Sequence, residues 1–255
     1  MGVFLYQSAL RDFLRPKRLV VWLLVVAAVF GIAKLWTSLT TGMSPQAAYN
    51  QVSAVLVYRV LALTAAIFST AVVSQEVEQK TIVYLLTRPI PRQTLLLARS
   101  LAAATVVVAI GWLLAIGVSF AVFGARIGDN AMLVKDLIAL GVGALAYTSL
   151  FVLLTLWINR AMIVCILFAF GWETMIPNLQ GDIYYLSIYK YLETISERPS
   201  LESSGPIGAL AAQLSTNQMT TQTAWVALVL MIAAFTAVAG WWFTHYEYVP
   251  REDAE

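Results

Sequence analysis

Six apolar runs dominate the sequence: Leu19 to Trp36, Val52 to Ser74, Leu95 to Phe123, Leu137 to Ile158, Ala161 to Ile176 and Ala224 to Phe243. A helix needs about 20 mostly apolar residues to cross the hydrocarbon of a bilayer, because every backbone polar group must find its partner inside the segment. The runs therefore predict a six-span, all-α membrane protein with residues 1–255 forming a single transmembrane domain. The fifth run is short, and only Asn159 and Arg160 separate it from the fourth, which predicts a tight antiparallel hairpin. Composition agrees. Hydrophobic residues make up 60% of the chain and charged residues 12%, too few to coat a water-facing globule.

With six crossings both termini share a side. That side collects Arg11, Arg15, Lys17, Arg18, Lys80, Arg88, Arg92, Arg99, Arg160 and Arg251, so the expectation is that both termini are cytoplasmic. Arg11, Arg15, Lys17 and Arg18, followed by an apolar stretch with small residues near Ala33, also fit a secretory leader; the expectation is a permanent helix. Lys34, Arg59, Arg126, Lys135, Lys190 and Arg198 fall on the opposite side, the last two in a long loop. Lys34 and Arg59 lie near the outer ends of their runs, where long stems snorkel to the interface.

Several segments are not simple spans. Phe4, Leu5, Leu10, Phe13 and Leu14 recur at helical spacing before Pro16, predicting a helix along the membrane surface that breaks at the proline. Between runs two and three, Ser74 followed by Glu76 to Lys80 predicts the start of a short cytoplasmic helix, which Pro89 and Pro91 end. An interfacial helix and a docking element fit that pattern equally. The outer loop 178–223 contains an aromatic-rich stretch, Ile183 to Ile195, expected as an interfacial helix. It also contains a solvent-exposed turn from Glu197 to Gly205 and an apolar stretch, Pro206 to Leu214, too short to span.

Little in the chain resembles an enzyme. The single histidine, His245, has no His, Cys or carboxylate at metal-ligand spacing nearby, so no metal site is expected. The sequence contains no Gly-x-x-x-x-Gly-Lys-Ser/Thr, so ATP would have to be hydrolysed elsewhere. The one cysteine, Cys165, lies in an apolar run and reads as a small core residue. A net charge of +2, with its 16 basic residues dispersed, lacks the basic face that nucleic acid requires. Glu173 reads as the one carboxylate within a span, about a turn from Pro177 at the outer, water-accessible boundary, and so as a candidate for transport or gating. No buried chain of carboxylates and histidines suggests a proton relay.

The stretch from Glu76 to Arg92 resembles the cytoplasmic segment of type-2 ABC transporter permeases, in which an acidic residue precedes Gly-Thr, a Leu-Leu pair, a proline and an arginine. Glu76, Thr81, Leu85, Leu86, Pro89 and Arg92 match, and Lys80 replaces the glycine. The resemblance implies a coupling helix in which Glu78 and Arg88 also face an ATPase. It implies an N-terminal elbow helix carrying Arg11, Arg15, Lys17 and Arg18, and short outer gate helices between spans five and six, near Glu173, Tyr184, Tyr185 and Tyr189. It further implies cytosolic ABC ATPase subunits that hold the ATP and magnesium, no cofactor in this chain, and a second permease copy or homologue in the lipid bilayer. Export of a hydrophobic or amphipathic cargo through the dimer interface is the expected function. The alternative is a module that passes mechanical work to an outer-side protein without moving a cargo.

Overall fold

The computed structural model of the protein describes residues 2–40, 42–78, 92–158, 160–176, 185–198 and 219–245, with backbone alone for 73–78 and Arg92. The described residues are helical throughout. Helix α1 covers Gly2–Phe13, and Arg15 is extended (φ −55°, ψ 138°) before Pro16 opens α2, Pro16–Leu39. The break falls where proline, which has no N–H and a fixed φ, favours the first position of a new helix. Helix α3, Pro45–Val52, is capped by Ser44 and passes through a π-helical turn, Ser53–Val57, into α4, Tyr58–Glu78. Helix α5 runs Arg92–Phe123 and ends at Gly124 in the left-handed region (φ +60°), where a side chain would be strained. Helix α6 covers Leu133–Trp157. Helix α7, Ala161–Leu167, leads through a second π turn, Phe168–Trp172, to the short α8, Glu173–Met175. Helices α9, Ile188–Ile195, and α10, Thr221–His245, complete the described chain.

Among the described residues, five segments are long and apolar enough to cross a bilayer: Pro16–Leu39, Pro45–Val72, Gln93–Asp129, Leu133–Trp157 and Thr221–His245. The fifth expected span, Ala161–Met175, is apolar but shorter. Two boundaries differ from the sequence reading in ways that matter. Ser74 does not start a helix; α4 continues through it to Glu78, because Ser74, Gln75, Glu76, Val77 and Glu78 include neither proline nor glycine to stop it. Helix α6 begins at Leu133 rather than Leu137, which draws Asp136 into its first turn.

Helix α5 is the hub, touching α1, α2, α4, α6 and α10. Small residues are buried along it and its neighbours: Ala102 and Ala103 on α5, Ala62, Ala65 and Ala66 on α4, and Ala139 and Ala144 on α6. Lipid gives helices no hydrophobic reason to associate, so close backbone approach and van der Waals contact supply the cohesion. Helices α2 and α10 form the rim and leave Leu23, Leu24, Val226 and Leu230 exposed, as suits a lipid-facing surface. Helix α1 divides its apolar residues: Phe13 sits edge-on to Phe68 with ring centroids 5.7 Å apart, and Tyr6 donates a hydrogen bond to Thr105 Oγ1 at 3.2 Å, while Val3 and Phe4 stay exposed. Cys165 is buried, as a small core residue should be.

A glycine, Gly143, lies where α6 meets α9. A Cβ on Gly143 would stand 2.5 Å from Leu192 Cδ1 and 3.3 Å from Leu61 Cδ2. Gly143→Ala should therefore cost about 1–3 kcal/mol by overpacking and lower the Tm of the detergent-purified protein. Gly31→Ala, whose Cβ meets nothing within 4 Å, should leave the Tm unchanged or slightly higher.

Candidate functional site

The most polar buried site is built around Asp136. Tyr49 and Tyr58 stand nine positions apart, and on an unbroken α-helix they would turn about 900° and point to opposite sides. The π turn between them takes up one extra residue, which reduces the difference to about 80°. Both side chains therefore reach the same carboxylate. Tyr49 donates to Asp136 Oδ2 at 2.8 Å, and Tyr58 donates to Oδ1 at 3.0 Å.

The third partner arrives from the end of α9. That helix ends with Glu197 in the left-handed region (φ 50°), with Glu197 N–H bonded to the Thr194 carbonyl at 3.1 Å and Arg198 N–H to the Glu193 carbonyl at 3.1 Å. This paired closure turns the chain back on itself and aims Arg198 at α6. Its Nη2 donates to Asp136 Oδ2 at 2.6 Å, its Nη1 donates to the Asn50 carbonyl at 3.0 Å, and its guanidinium lies 4.9 Å from the Tyr58 ring centroid. The Asp136 and Arg198 side chains are 1% and 2% exposed, so each needs the other: a buried charge without its partner is costly. Burial works against the guanidinium's charge, but Tyr58 and Asp136 outweigh it and hold Arg198 above the usual arginine range. Nearby, Lys135 pairs with Glu197.

The other end of α9 is held differently. Ser187 caps the helix by accepting from Lys190 N–H at 3.3 Å, and its hydroxyl donates to Glu173 Oε2 at 2.7 Å. Glu173 also accepts from Ile188 N–H at 3.0 Å and from Tyr189 N–H at 3.1 Å, satisfying two of the donors that every helix start leaves open. Between the ends, Ile188, Tyr191, Leu192 and Ile195 bury one face of α9 at i, i+3, i+4 and i+7. Arg59 lies over the Tyr189 ring, 5.3 Å from its centroid. Burial first, and then the charge of Glu193, push the Tyr189 hydroxyl up to about 12.

At the opposite end of the bundle, α4 finishes with Glu76 and Glu78 in its last turn and α5 begins at Arg92. Arg99 Nη1 donates to the Val72 carbonyl at 3.3 Å and so ties the start of α5 to the end of α4. A family model described as "ABC-2 family transporter protein" matches residues 12–172, well over half of the chain. The chain belongs to that family. Among curated proteins, none matches it. It is thus a multi-pass membrane subunit of an ABC-2 transporter, a permease that lacks the catalytic ATPase and belongs to a family that works with partner ATPase subunits. The matched stretch ends at Trp172, so α9 and Arg198 lie beyond it.

Of the permease's expected coupling residues, Lys80, Thr81, Leu85, Leu86, Arg88 and Pro89 fall outside the described residues, while Glu76, Glu78 and Arg92 border that segment on described helical backbone. Arg11 is exposed in the last turn of α1, Arg15 joins α1 to α2 and pairs with Asp12 at 3.0 Å, and Lys17 and Arg18 open α2. Tyr184 lies outside the described residues, Tyr185 offers its carbonyl to the Tyr191 hydroxyl at 2.8 Å, and Tyr189 is half-buried on α9.

Three expectations need correcting. Glu173 is 1% exposed rather than water-accessible, because it turns inward to cap α9. It is not the one carboxylate in an apolar helix, since Asp136 lies in α6. Arg198 does not sit in a solvent-exposed turn; its pairing with Asp136 buries it. Neither of these two residues stands out in the sequence, where 62 positions separate them. One signal was present: a carboxylate at the margin of an apolar run needs a partner.

Asp136→Asn or Arg198→Gln should each cost about 3–5 kcal/mol. The double variant should cost clearly less than their sum, a coupling that thermal unfolding in detergent measures as a double-mutant cycle. Deleting Val55, half-exposed within the π turn, should convert the turn to α-helix, keep Tyr49 and Tyr58 on one side and leave the Tm nearly unchanged. A deletion at Ala65, in the regular part of α4, should not be tolerated.

Proposed function

We propose that this permease is half of an ATP-driven exporter. It pairs with a second permease copy or homologue, and the two move a hydrophobic or amphipathic cargo along their interface. Residues 1–255 form one transmembrane domain of six spans, with Ala161–Met175 as the short fifth, in a prokaryotic inner membrane with both termini cytoplasmic. ATP and magnesium reside on cytosolic ABC ATPase subunits. Those subunits grip the segment from Glu76 to Arg92, with Glu76, Glu78, Lys80 and Arg88 as its charged edge, while Arg11, Arg15, Lys17 and Arg18 steady the elbow helix at the headgroups.

One observation carries this reading. Helix α4 is continuous from Tyr58 to Glu78, a rod of about 30 Å with Glu76 and Glu78 at one end and the Asp136 site at the other. A push on Glu76 and Glu78 is thereby delivered to Tyr58 and Arg59, and through them to α9, the outer gate with Glu173, Tyr185 and Tyr189 around it. The nature of the cargo is supported by a groove of about 720 Å³ between α5 and α10, lined by Leu97, Val229, Ile232, Thr236 and Trp241. A second reading, mechanical work passed to an outer-side protein with no cargo moved, draws on the packing of α9 across the outer end of the bundle.

A cytosolic ABC ATPase should co-purify with the chain. Replacing Glu76 and Glu78 together with lysine should lower permease-dependent ATPase stimulation by about tenfold while the chain still reaches the membrane. An ATPase that neither binds nor responds to the reversal contradicts the proposal. Lipid or peptide retained between two permeases favours transport over the mechanical reading.

A further inference from the structure

The two attachments of α9 differ in what they depend on. At the Glu173 end the carboxylate accepts from the Ser187 hydroxyl and from the N–H groups of Ile188 and Tyr189 at the start of α9, while the Tyr189 ring rests against Tyr58 and Arg59 of α4. Two of those donors are backbone, with no rotamer by which to leave, so this joint can part only if α8 and α9 themselves separate. At the Arg198 end the attachment is made by flexible side chains: Arg198 reaches the Asn50 carbonyl on α3, the Tyr58 ring on α4 and Asp136 on α6, and Glu197 pairs with Lys135 of α6. The guanidinium keeps all its contacts only while α3, α4 and α6 hold their present register.

The surroundings of Arg198 are also poised for change. Its own Nε, together with Asn50 Oδ1, Gln51 Oε1 and Ser53 Oγ, is buried without a hydrogen-bond partner among the described residues. Buried polar groups left unpaired favour any rearrangement that gives them partners. The π turn at Ser53–Val57 lies inside this same site. If it moved along the helix past Tyr49 or Tyr58, the angle between the two rings would change by about 100° and one would leave Asp136.

We propose that the stretch from Ser187 to Arg198 is a one-ended lid, hinged where Glu173 caps α9 and latched where Arg198 meets Asp136, and that displacement of α4 against α6 releases the latch. The proposal rests on the outer-gate reading above and adds its polarity. Leu192, seated against Gly143 and Leu61, is lifted toward the outer solution, while Ile188 beside the hinge stays in place.

The sequence contains one cysteine, Cys165, so a Cys165→Ala background accepts single reporters. Leu192→Cys and Ile188→Cys each place a thiol where the native side chain is at most 1% exposed. Each reporter permease is reconstituted with its ATPase in liposomes and treated from the outer side with a membrane-impermeant maleimide, at rest and during ATP turnover. Turnover should speed labelling at position 192 by about tenfold and leave position 188 protected. Asp136→Asn should speed labelling at 192 without ATP. If turnover labels both positions equally, the segment lifts as a whole and the hinge is overturned while the gate survives. If turnover labels neither, the gate reading fails and the hinge with it. Should Asp136→Asn fail to fold, the turnover experiment decides alone, because there the latch residues are native.

Discussion

Asp136 is a carboxylate withdrawn from water at one end of a bundle whose exposed surface is built for lipid, and such a group survives only if several donors converge on it. Two tyrosines and an arginine do so, from three parts of the chain. Meeting that demand explains much of the local architecture. The π turn brings Tyr49 and Tyr58 to the same side, the left-handed Glu197 turns Arg198 back toward the bundle, and the start of α6 at Leu133 puts Asp136 within reach of all three. In lipid this polar knot does what hydrophobic collapse does in water: it tells helices that would otherwise slide past each other where to stop.

The knot also sits at a useful address. Helix α4 contributes Tyr58 to it and ends in Glu76 and Glu78 at the other face of the bundle. Helix α9 is held to the rest of the protein by the knot at one end and by Glu173 at the other. A permease driven by a motor on one side of the membrane must carry information to the opposite side, and a stiff rod ending in a breakable polar contact is a physical means of doing so.

Much of the scaffold was legible in the sequence because apolar runs report directly on hydrocarbon thickness. The break at Pro16, the turn between Trp157 and Ala161 and five of the apolar spans stand close to where the sequence puts them. Glu76 to Arg92 carried enough pattern to indicate the family that the wider match then established. The misreadings share a cause. Ser74 resembles a helix cap only if a helix has already ended, and local sequence cannot say that it has not. A π turn has no compositional signature, since it is imposed by what its flanking side chains must reach. Asp136 and Arg198 are linked by tertiary structure alone, so Arg198 resembled loop charge and Asp136, just ahead of the fourth run, did not stand out. Glu173 was picked out by residue type, whereas its work as a cap depends on where α9 begins.

Density maps of the permease with its ATPase, one at rest and one with ATP bound, test this account most directly. At rest the motor should be seated against the segment from Glu76 to Arg92, with the Arg198 guanidinium on Asp136. With ATP bound, α4 should be displaced against α6 and that ion pair parted, while Glu173 still caps α9. A motor docked elsewhere, or an ion pair intact in both states beside an opened outer path, would contradict the claim that α4 carries the motor's movement to an outer latch.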